Sequence, residues 1–385
     1  MNKKLKNNTV FIGTATEIQT GMKRRPVLSK PVTIQSMCDT KTYDIAKTVA
    51  QILELEREGC NLVRVSIPDK ASAKALKQIK KRIHIPLVAD IHFDPSLALL
   101  AIENGADKIR INPGNIVRNL KNTDEVEMLK KIIASAHKAK ILIRIGVNSG
   151  SLEKHLLDKY GGPNAKALVE SAMNWIKFFE SQNFNSLVIS IKSTDVQTTI
   201  DANELLFKRL KLHAKKTKNN LYPIHLGVTE AGPLISGAVR SSVALSALLR
   251  KGIGDTIRIS LTEDPVLEVK VAKELLKSLG LYDKEPYIIS CPTCARTEIA
   301  LKPLVKKVTA ELENLHIQKP LKIAIMGCVV NGPGEAREAD FALFGGKKIG
   351  AIYAHGKFIK SVAEKNLVKE FIKVIKVELK QKTQI

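Results

Sequence analysis

Aromatic side chains are scarce: Phe, Trp and Tyr make up 4% of the 385 residues, with a single Trp. Platforms for stacking single-stranded nucleic acid are therefore too few. Acidic residues are in deficit, with 38 Asp and Glu against 62 Lys and Arg, for a net charge of +24. The lysines are spread along helix faces and do not gather into a basic arm, so no nucleic-acid partner is expected. A field of this sign still attracts an anionic substrate or an acidic protein. Long apolar runs are missing, since nothing approaches the roughly 18–20 residues that span a membrane, and no membrane partner is expected. The polar N-terminus, Met1 to Asn8, lacks the apolar core of a signal peptide, so a cytoplasmic location is expected. There the five cysteines stay reduced, and a clustered set reads as metal binding or catalysis.

Apolar residues reach 44%, enough for a large core, and the length suits two domains. Up to about residue 282 one pattern repeats eight times: a short β-branched run ending in polar residues, then an amphipathic helical stretch. Strands are expected to begin near Val32, Leu62, Pro86, Asp107, Ile141, Ser186, Pro223 and Gly254. Helices are expected to begin near Asp44, Lys70, Pro95, Thr123, Asn164, Asp195, Ser236 and Val266. This periodicity predicts an α/β protein with an eight-fold β/α (TIM) barrel over residues 1–282. A doubly wound sheet would want a glycine-rich phosphate turn after an early strand, and none is present. Residues 283–385 follow a different pattern and read as a small α+β domain, joined through Tyr282-Asp283-Lys284-Glu285-Pro286. In it a helix of about 19 residues is expected after Cys294, then strands near Leu321, Phe341 and Ile349 and a last helix over roughly 362–380. Lys211 to Asn220 reads as an exposed loop or helix end.

Chemistry in such barrels gathers where strands turn into helices. Here those ends carry Arg64, Asp90, His92, Arg110, Asn112, Arg144, Asn148, Lys192, Glu230, Arg258 and Ser260. Period two puts Arg64 with Ser66, Arg110 with Asn112, and Arg258 with Ser260 on one face of each strand. Arginines at one barrel end cannot be buried without anions, and Asp90 and Glu230 are too few to neutralise them. A phosphate or diphosphate ligand resolves the imbalance.

Cys291 and Cys294 share a Cys-Pro-Thr-Cys turn, and Cys328 follows a separate strand. Two thiolates on a turn plus one from another loop form the pattern of a soft metal site. A thioredoxin-type pair lacks its strand order, and structural zinc lacks a fourth ligand at short spacing. Gly332-Pro333-Gly334 reads as a tight loop that would bring Glu335 back beside Cys328. With three thiolates and one carboxylate, one iron of a 4Fe-4S cluster would carry a weak, exchangeable oxygen ligand. Cys60 reads as a small core hydrophobe, and Cys38 has no partner.

These segments together resemble one family, the bacterial 4-hydroxy-3-methylbut-2-en-1-yl diphosphate synthases of the non-mevalonate isoprenoid pathway. The resemblance covers roughly residues 30–362. It rests on Ile34-Gln35-Ser36-Met37, Val63-Arg64-Val65-Ser66, Ala89-Asp90-Ile91-His92-Phe93, Arg110-Ile111-Asn112-Pro113-Gly114-Asn115 and Arg144-Ile145-Gly146-Val147-Asn148. It rests also on the segment from Gly227 to Gly232, on that from Gly252 to Thr256, on Cys291-Pro292-Thr293-Cys294, and on the run from Gly327 to Glu335. The resemblance implies reductive ring opening of 2-C-methyl-D-erythritol 2,4-cyclodiphosphate to an allylic diphosphate alcohol. It implies a 4Fe-4S cluster on Cys291, Cys294, Cys328 and Glu335. Arg64, Arg110, Arg144, Lys192, Arg258 and Ser260 match its diphosphate-binding positions. Asp90, His92, Asn112, Asn148 and Glu230 match polar cavity positions, with Glu230 as the implied proton donor. It also implies a homodimer, in which one chain's cluster domain serves the other's barrel, and reduced flavodoxin or ferredoxin as electron donor. The alternative from the residues alone is a pterin- or sugar-phosphate-binding barrel with a structural zinc domain.

Overall fold

The computed structural model describes residues 31–112, 115, 123–217, 221–330 and 332–381. The N-terminal octet, Pro113, Gly114, Asn331 and residues 218–220 of the Lys-rich stretch lie outside the described residues. The chain divides into two compact units, one ending at Leu281 and the other starting at Tyr282.

The first unit is the expected β/α barrel. Its strands are β1 (Thr33–Met37), β2 (Leu62–Ile67), β3 (Leu87–Ile91), β4 (Lys108–Ile111), β5 (Leu142–Asn148), β6 (Leu187–Lys192), β7 (His225–Leu226) and β8 (Thr256–Ile257). All pairings are parallel, in the order β6-β5-β4-β3-β2-β1-β8-β7. One bridge, Ile189 to Ile224, closes β6 onto β7. The crossover helices are α1 (Ile45–Glu58), α2 (Lys70–Lys80), α3 (Ser96–Glu103) and α4 (Thr123–Ala139). After β5 come α5 (Lys154–Tyr160) and α6 (Ala165–Ser181), then α7 (Val196–Thr217), α8 (Leu234–Leu249) and α9 (Pro265–Ser278). Helix α5 is an addition that the eight-fold pattern did not announce.

The first unit of the repeat shows why the elements form. The Asp44 carboxylate accepts from the Lys47 N–H at 3.2 Å and caps α1. Val49, Ile52 and Leu55 bury one face of that helix. Val63, Val65 and Ile67 of β2 are buried on the helix-facing side. Each such side chain contributes about 1.5–3 kcal/mol on burial. The alternate residues of the strands then face the barrel axis. Register does the rest: Ser66 pairs with Asp90, Asp90 with Arg110, and Arg110 with Arg144.

The second unit is a sheet in the order β13-β12-β11-β10-β9. Strands β9 (Tyr287–Ser290), β10 (Lys322–Met326) and β11 (Phe341–Gly346) run parallel. Strands β12 (Ile349–Ala354) and β13 (Lys357–Ala363) are antiparallel to their neighbours. Helices α10 (Leu301–Asn314) and α12 (Leu367–Gln381) share a core with Ile323, Ile325 and Phe341. Helix α11 (Gly332–Glu338) packs Ala336 with Ala324, Met326 and Phe344.

Three local expectations are corrected. The helix after Cys294 has 14 residues and starts only at Leu301. Lys357–Ala363 forms β13, so the last helix begins at Leu367 and not near 362. Gly332-Pro333-Gly334 is the first turn of α11 and not a loop. Pro is suited to a helix's first turn, where its missing N–H has no partner to lose. A Cβ on Gly332 would stand 2.3 Å from the Phe344 ring, so close packing is what requires this glycine.

Candidate active site

The strand ends of the barrel converge on one carboxylate. Asp90, buried on β3, accepts from Arg110 Nη1 at 3.1 Å and faces Arg64 Nε at 3.4 Å and His92 Nε2 at 3.5 Å. Burial alone would raise its pKa, but the combined field of Arg64, Arg110, His92 and Arg144 outweighs it and holds the pKa at about 2. Arg110 Nη2 also donates to the Gly146 carbonyl at 3.3 Å. With its amide oxygen toward Arg110, Asn148 accepts from the same nitrogen at 3.3 Å. Arg144 is buried and donates from Nη1 to Gln35 Oε1 at 2.5 Å, while its buried Nη2 has no partner.

Lys192, at the end of β6, is buried with no hydrogen bond or ion pair among the described residues. Burial, then Arg64, Arg258, Arg144 and Arg110 in that order, push its pKa well below the ordinary lysine value. A Cβ on Gly227 would come within 2.7 Å of both the Arg258 carbonyl oxygen and Lys192 Nζ, so glycine is required where Lys192 packs against this backbone. Arg258 is tied to the Glu268 carboxylate by Nε at 3.2 Å and Nη2 at 2.9 Å. Asn112 donates to Ser151 Oγ at 2.7 Å. Ser260 is half-buried beyond β8.

Sequence reasoning counted Asp90 and Glu230 as the internal acids. Of the other buried acids, Glu268, on the first turn of α9, is the one that pairs with a strand-end cation. Glu230 is exposed after β7, with left-handed backbone at φ 53, and makes no ion pair among the described residues. Sequence reasoning also missed Gln35, Met37, Lys108 and His225. Lys108 sits two residues before Arg110 on the same strand face and is buried, a parity that was readable. His225 Nδ1 meets Thr256 Oγ1 at 2.7 Å, and its buried Nε2 has no partner. Burial, followed by Arg144 and Lys192, holds this imidazole neutral.

Among the described residues, five cationic groups, Arg64, Arg110, Arg144, Lys192 and Arg258, thus have ion pairs with only two carboxylates, Asp90 and Glu268. Such an excess in a low-dielectric interior is stable only with an anion. The unpartnered Arg144 Nη2 and Lys192 Nζ are donors that suit its oxygens.

In the second unit, β9 and β10 are neighbours, with Ser290 opposite Ile325. Cys291 and Cys328 therefore leave adjacent strand ends, and the Gly327 N–H donates to Cys291 Sγ at 3.2 Å. Cys294 is exposed and its N–H donates to Thr297 Oγ1 at 3.1 Å. All three thiols are free. The donor set fits a soft iron–sulfur group, because thiolates and N–H···S bonds are what such clusters use. Among the described residues, no group of three or more His, Cys, Asp or Glu side chains is already closed into a metal site. Glu335 lies on α11 and faces Lys322 Nζ at 3.8 Å.

A family profile described as the GcpE TIM-barrel domain matches residues 26–273, and one described as the GcpE protein C-terminal domain matches residues 287–377. A 4-hydroxy-3-methylbut-2-en-1-yl diphosphate synthase (flavodoxin) of Caldanaerobacter subterraneus subsp. tengcongensis is 49% identical over 92% of this chain and 94% of its own. That of Lysinibacillus sphaericus is 50% identical over 90% of this chain and 88% of its own. That of Caldicellulosiruptor saccharolyticus is 49% identical over 97% of this chain and 98% of its own. Among solved structures, the Yersinia pestis dihydropteroate synthase aligns with a TM-score of 0.43 and 11% identity over 66% of this chain and 94% of its own. That likeness is too distant to favour a pterin-binding barrel. With both profiles matched in order and half the residues shared with these synthases, the chain belongs to the GcpE family.

Proposed function

We propose that this chain reductively opens 2-C-methyl-D-erythritol 2,4-cyclodiphosphate to 4-hydroxy-3-methylbut-2-enyl diphosphate. The observation that carries this reading is the excess of cations over paired carboxylates at the strand ends, with Arg144 and Lys192 buried and without an ion pair among the described residues, in a chain of the family whose curated relatives bear that name. Arg64, Arg110, Arg144, Lys192 and Arg258 clamp the diphosphate, and fixed guanidinium forks lose little freedom on binding it. Asp90 keeps Arg64 and Arg110 aimed and stays ionised while doing so. Asn112, Asn148, His92 and Ser260 line the same opening, and exposed Glu230 supplies the proton as one oxygen leaves as water.

Cys291, Cys294 and Cys328 would hold the 4Fe-4S cluster, with Glu335 the implied fourth ligand after a turn of its side chain away from Lys322. When bound, the cluster supplies single electrons, the chemistry needed to lose an unactivated oxygen substituent. The electron donor is a reduced flavodoxin, in keeping with the curated relatives' name. The basic surface of a +24 chain suits such an acidic partner. The enzyme works in the cytoplasm as a homodimer. No helix among the described residues is long and apolar enough to cross a membrane.

The test is turnover of the cyclodiphosphate by anaerobically purified full-length protein with a chemical reductant. A brown, iron-containing preparation that forms the allylic diphosphate is expected. Colourless, zinc-containing protein with no turnover would sink the reading.

A further inference from the structure

Strand β1 carries no charge, yet three successive residues on it each meet the holder or the head of a cation. Gln35 Oε1 accepts from Arg144 Nη1 at 2.5 Å. Ser36 Oγ donates to Glu268 Oε2 at 2.9 Å, and Glu268 in turn holds Arg258 through both carboxylate oxygens. Met37 Sδ accepts from Arg64 Nε at 3.0 Å and Nη2 at 2.8 Å. Period two turns Gln35 and Met37 to the barrel axis and Ser36 to the helix side, where α9 presents Glu268.

Gln35 matters most, because of what it is not. Arg64 and Arg110 both face Asp90, and Arg258 faces Glu268. Arg144 is 2% exposed and has no carboxylate within ion-pair distance among the described residues. A carboxylate at position 35 would fork onto that guanidinium and cancel its charge. An amide directs Nη1 and leaves the charge uncancelled. It also leaves two buried groups without partners, Arg144 Nη2 and Gln35 Nε2. Each is costly to bury unless something accepts from it. Both are N–H donors, and a ligand oxygen satisfies them.

Resting on the anion-site reading above, we infer that Gln35 is a positioning residue for the substrate diphosphate: it aims Arg144 without neutralising it. Ser36, by holding Glu268, and Met37 help to orient Arg258 and Arg64, which carboxylates already pair, so that β1 orients the clamp while adding no charge to it.

The experiment uses full-length, cluster-loaded protein and inorganic diphosphate as the probe, with binding measured by titration calorimetry across a range of salt and folding followed by thermal melting. Gln35→Met removes the amide at nearly constant volume, Gln35→Glu keeps the shape and adds charge, and Arg144→Ala is the reference. Gln35→Met is expected to weaken diphosphate binding by about tenfold, the worth of one hydrogen bond to a charged group, with melting little changed. Gln35→Glu is expected to weaken it further and to flatten its salt dependence, because one cation is cancelled. If Arg144→Ala loses affinity while both Gln35 variants bind as the native protein does, the positioning role is overturned and the anion site stands. If Arg144→Ala also binds as the native protein does, the anion-site reading falls and this inference with it. Should the Gln35→Glu chain not fold, Gln35→Met decides alone.

Discussion

Gly146 has no room for a methyl group. A Cβ there would lie 2.5 Å from Arg110 Nε, far inside contact distance, so Gly146→Ala must swing Arg110 off Asp90. The Michaelis constant for the cyclodiphosphate is expected to rise by about tenfold or more, the worth of a charge-assisted bond, with the fold retained. Steady-state kinetics beside a melting curve check this, and an unchanged Michaelis constant would mean that Arg110 is dispensable. Asp90 sets the pH behaviour of the same cluster. Its folded pKa of about 2 lies below the ordinary 3.8. The stabilisation is therefore complete above about pH 4 and is lost as pH falls toward 2, a linkage of about 2 kcal/mol. Urea midpoints measured between about pH 5 and pH 2.5 should fall more steeply for the native chain than for Asp90→Asn. Equal slopes would refute the assignment. What the sequence hid at this scale is partnership. Arg258 was legible as a strand-end cation, but Glu268 reads locally as one more acid on a helix's first turn. Only the register of β1 and β8 against α9 brings the two together.

Single elements were more legible than their contacts. Every barrel strand falls within about two residues of its periodic signal, because one face of each must be apolar to pack under a helix. The failures came where a local rule has two solutions. Gly-Pro-Gly suits a turn and also a helix's first turn, and packing against Phe344 selects the second. Lys357–Ala363 alternates like a strand but abuts a lysine-rich helix, and the helical period masked it. The cysteines divide by element in the same way. Cys60 is buried in the barrel wall, where its Sγ donates to the Leu62 carbonyl at 3.1 Å and burial pushes the thiol up to about 12. Cys38 is buried and shifted the same way. Alanine at Cys291, Cys294 or Cys328 should abolish both the visible chromophore and turnover. Alanine at Cys38 or Cys60 should leave both in place, as absorbance and iron content will report. A brown, active Cys294→Ala enzyme would contradict the proposed cluster site.

For the whole molecule, the decisive question is whether a site is completed by one chain or two. If one chain's cluster domain serves the other's barrel, as the family resemblance implies, Cys328→Ser and Arg110→Ala are each inactive but complementary. A mixed dimer has one site carrying both lesions and one carrying neither, so it regains up to about half the native activity. Subunit exchange followed by mass, with turnover measured in parallel, tests this. Verified exchange without recovered activity means that each chain builds its own site.

The seam between β6 and β7 carries a further consequence. Around the rest of the barrel, neighbouring strands share ladders of two or more rungs, but Ile189 to Ile224 is one bridge. Lys192 ends the strand on one side of that seam, and Arg258 follows the strand beyond it. An anion gripped by both acts as a clasp across the barrel's thinnest wall. The diphosphate is then a structural member as well as a reactant. Amide hydrogen exchange at Ile189 and His225 should slow on adding inorganic diphosphate, while the rates in β2 to β4 stay as they were.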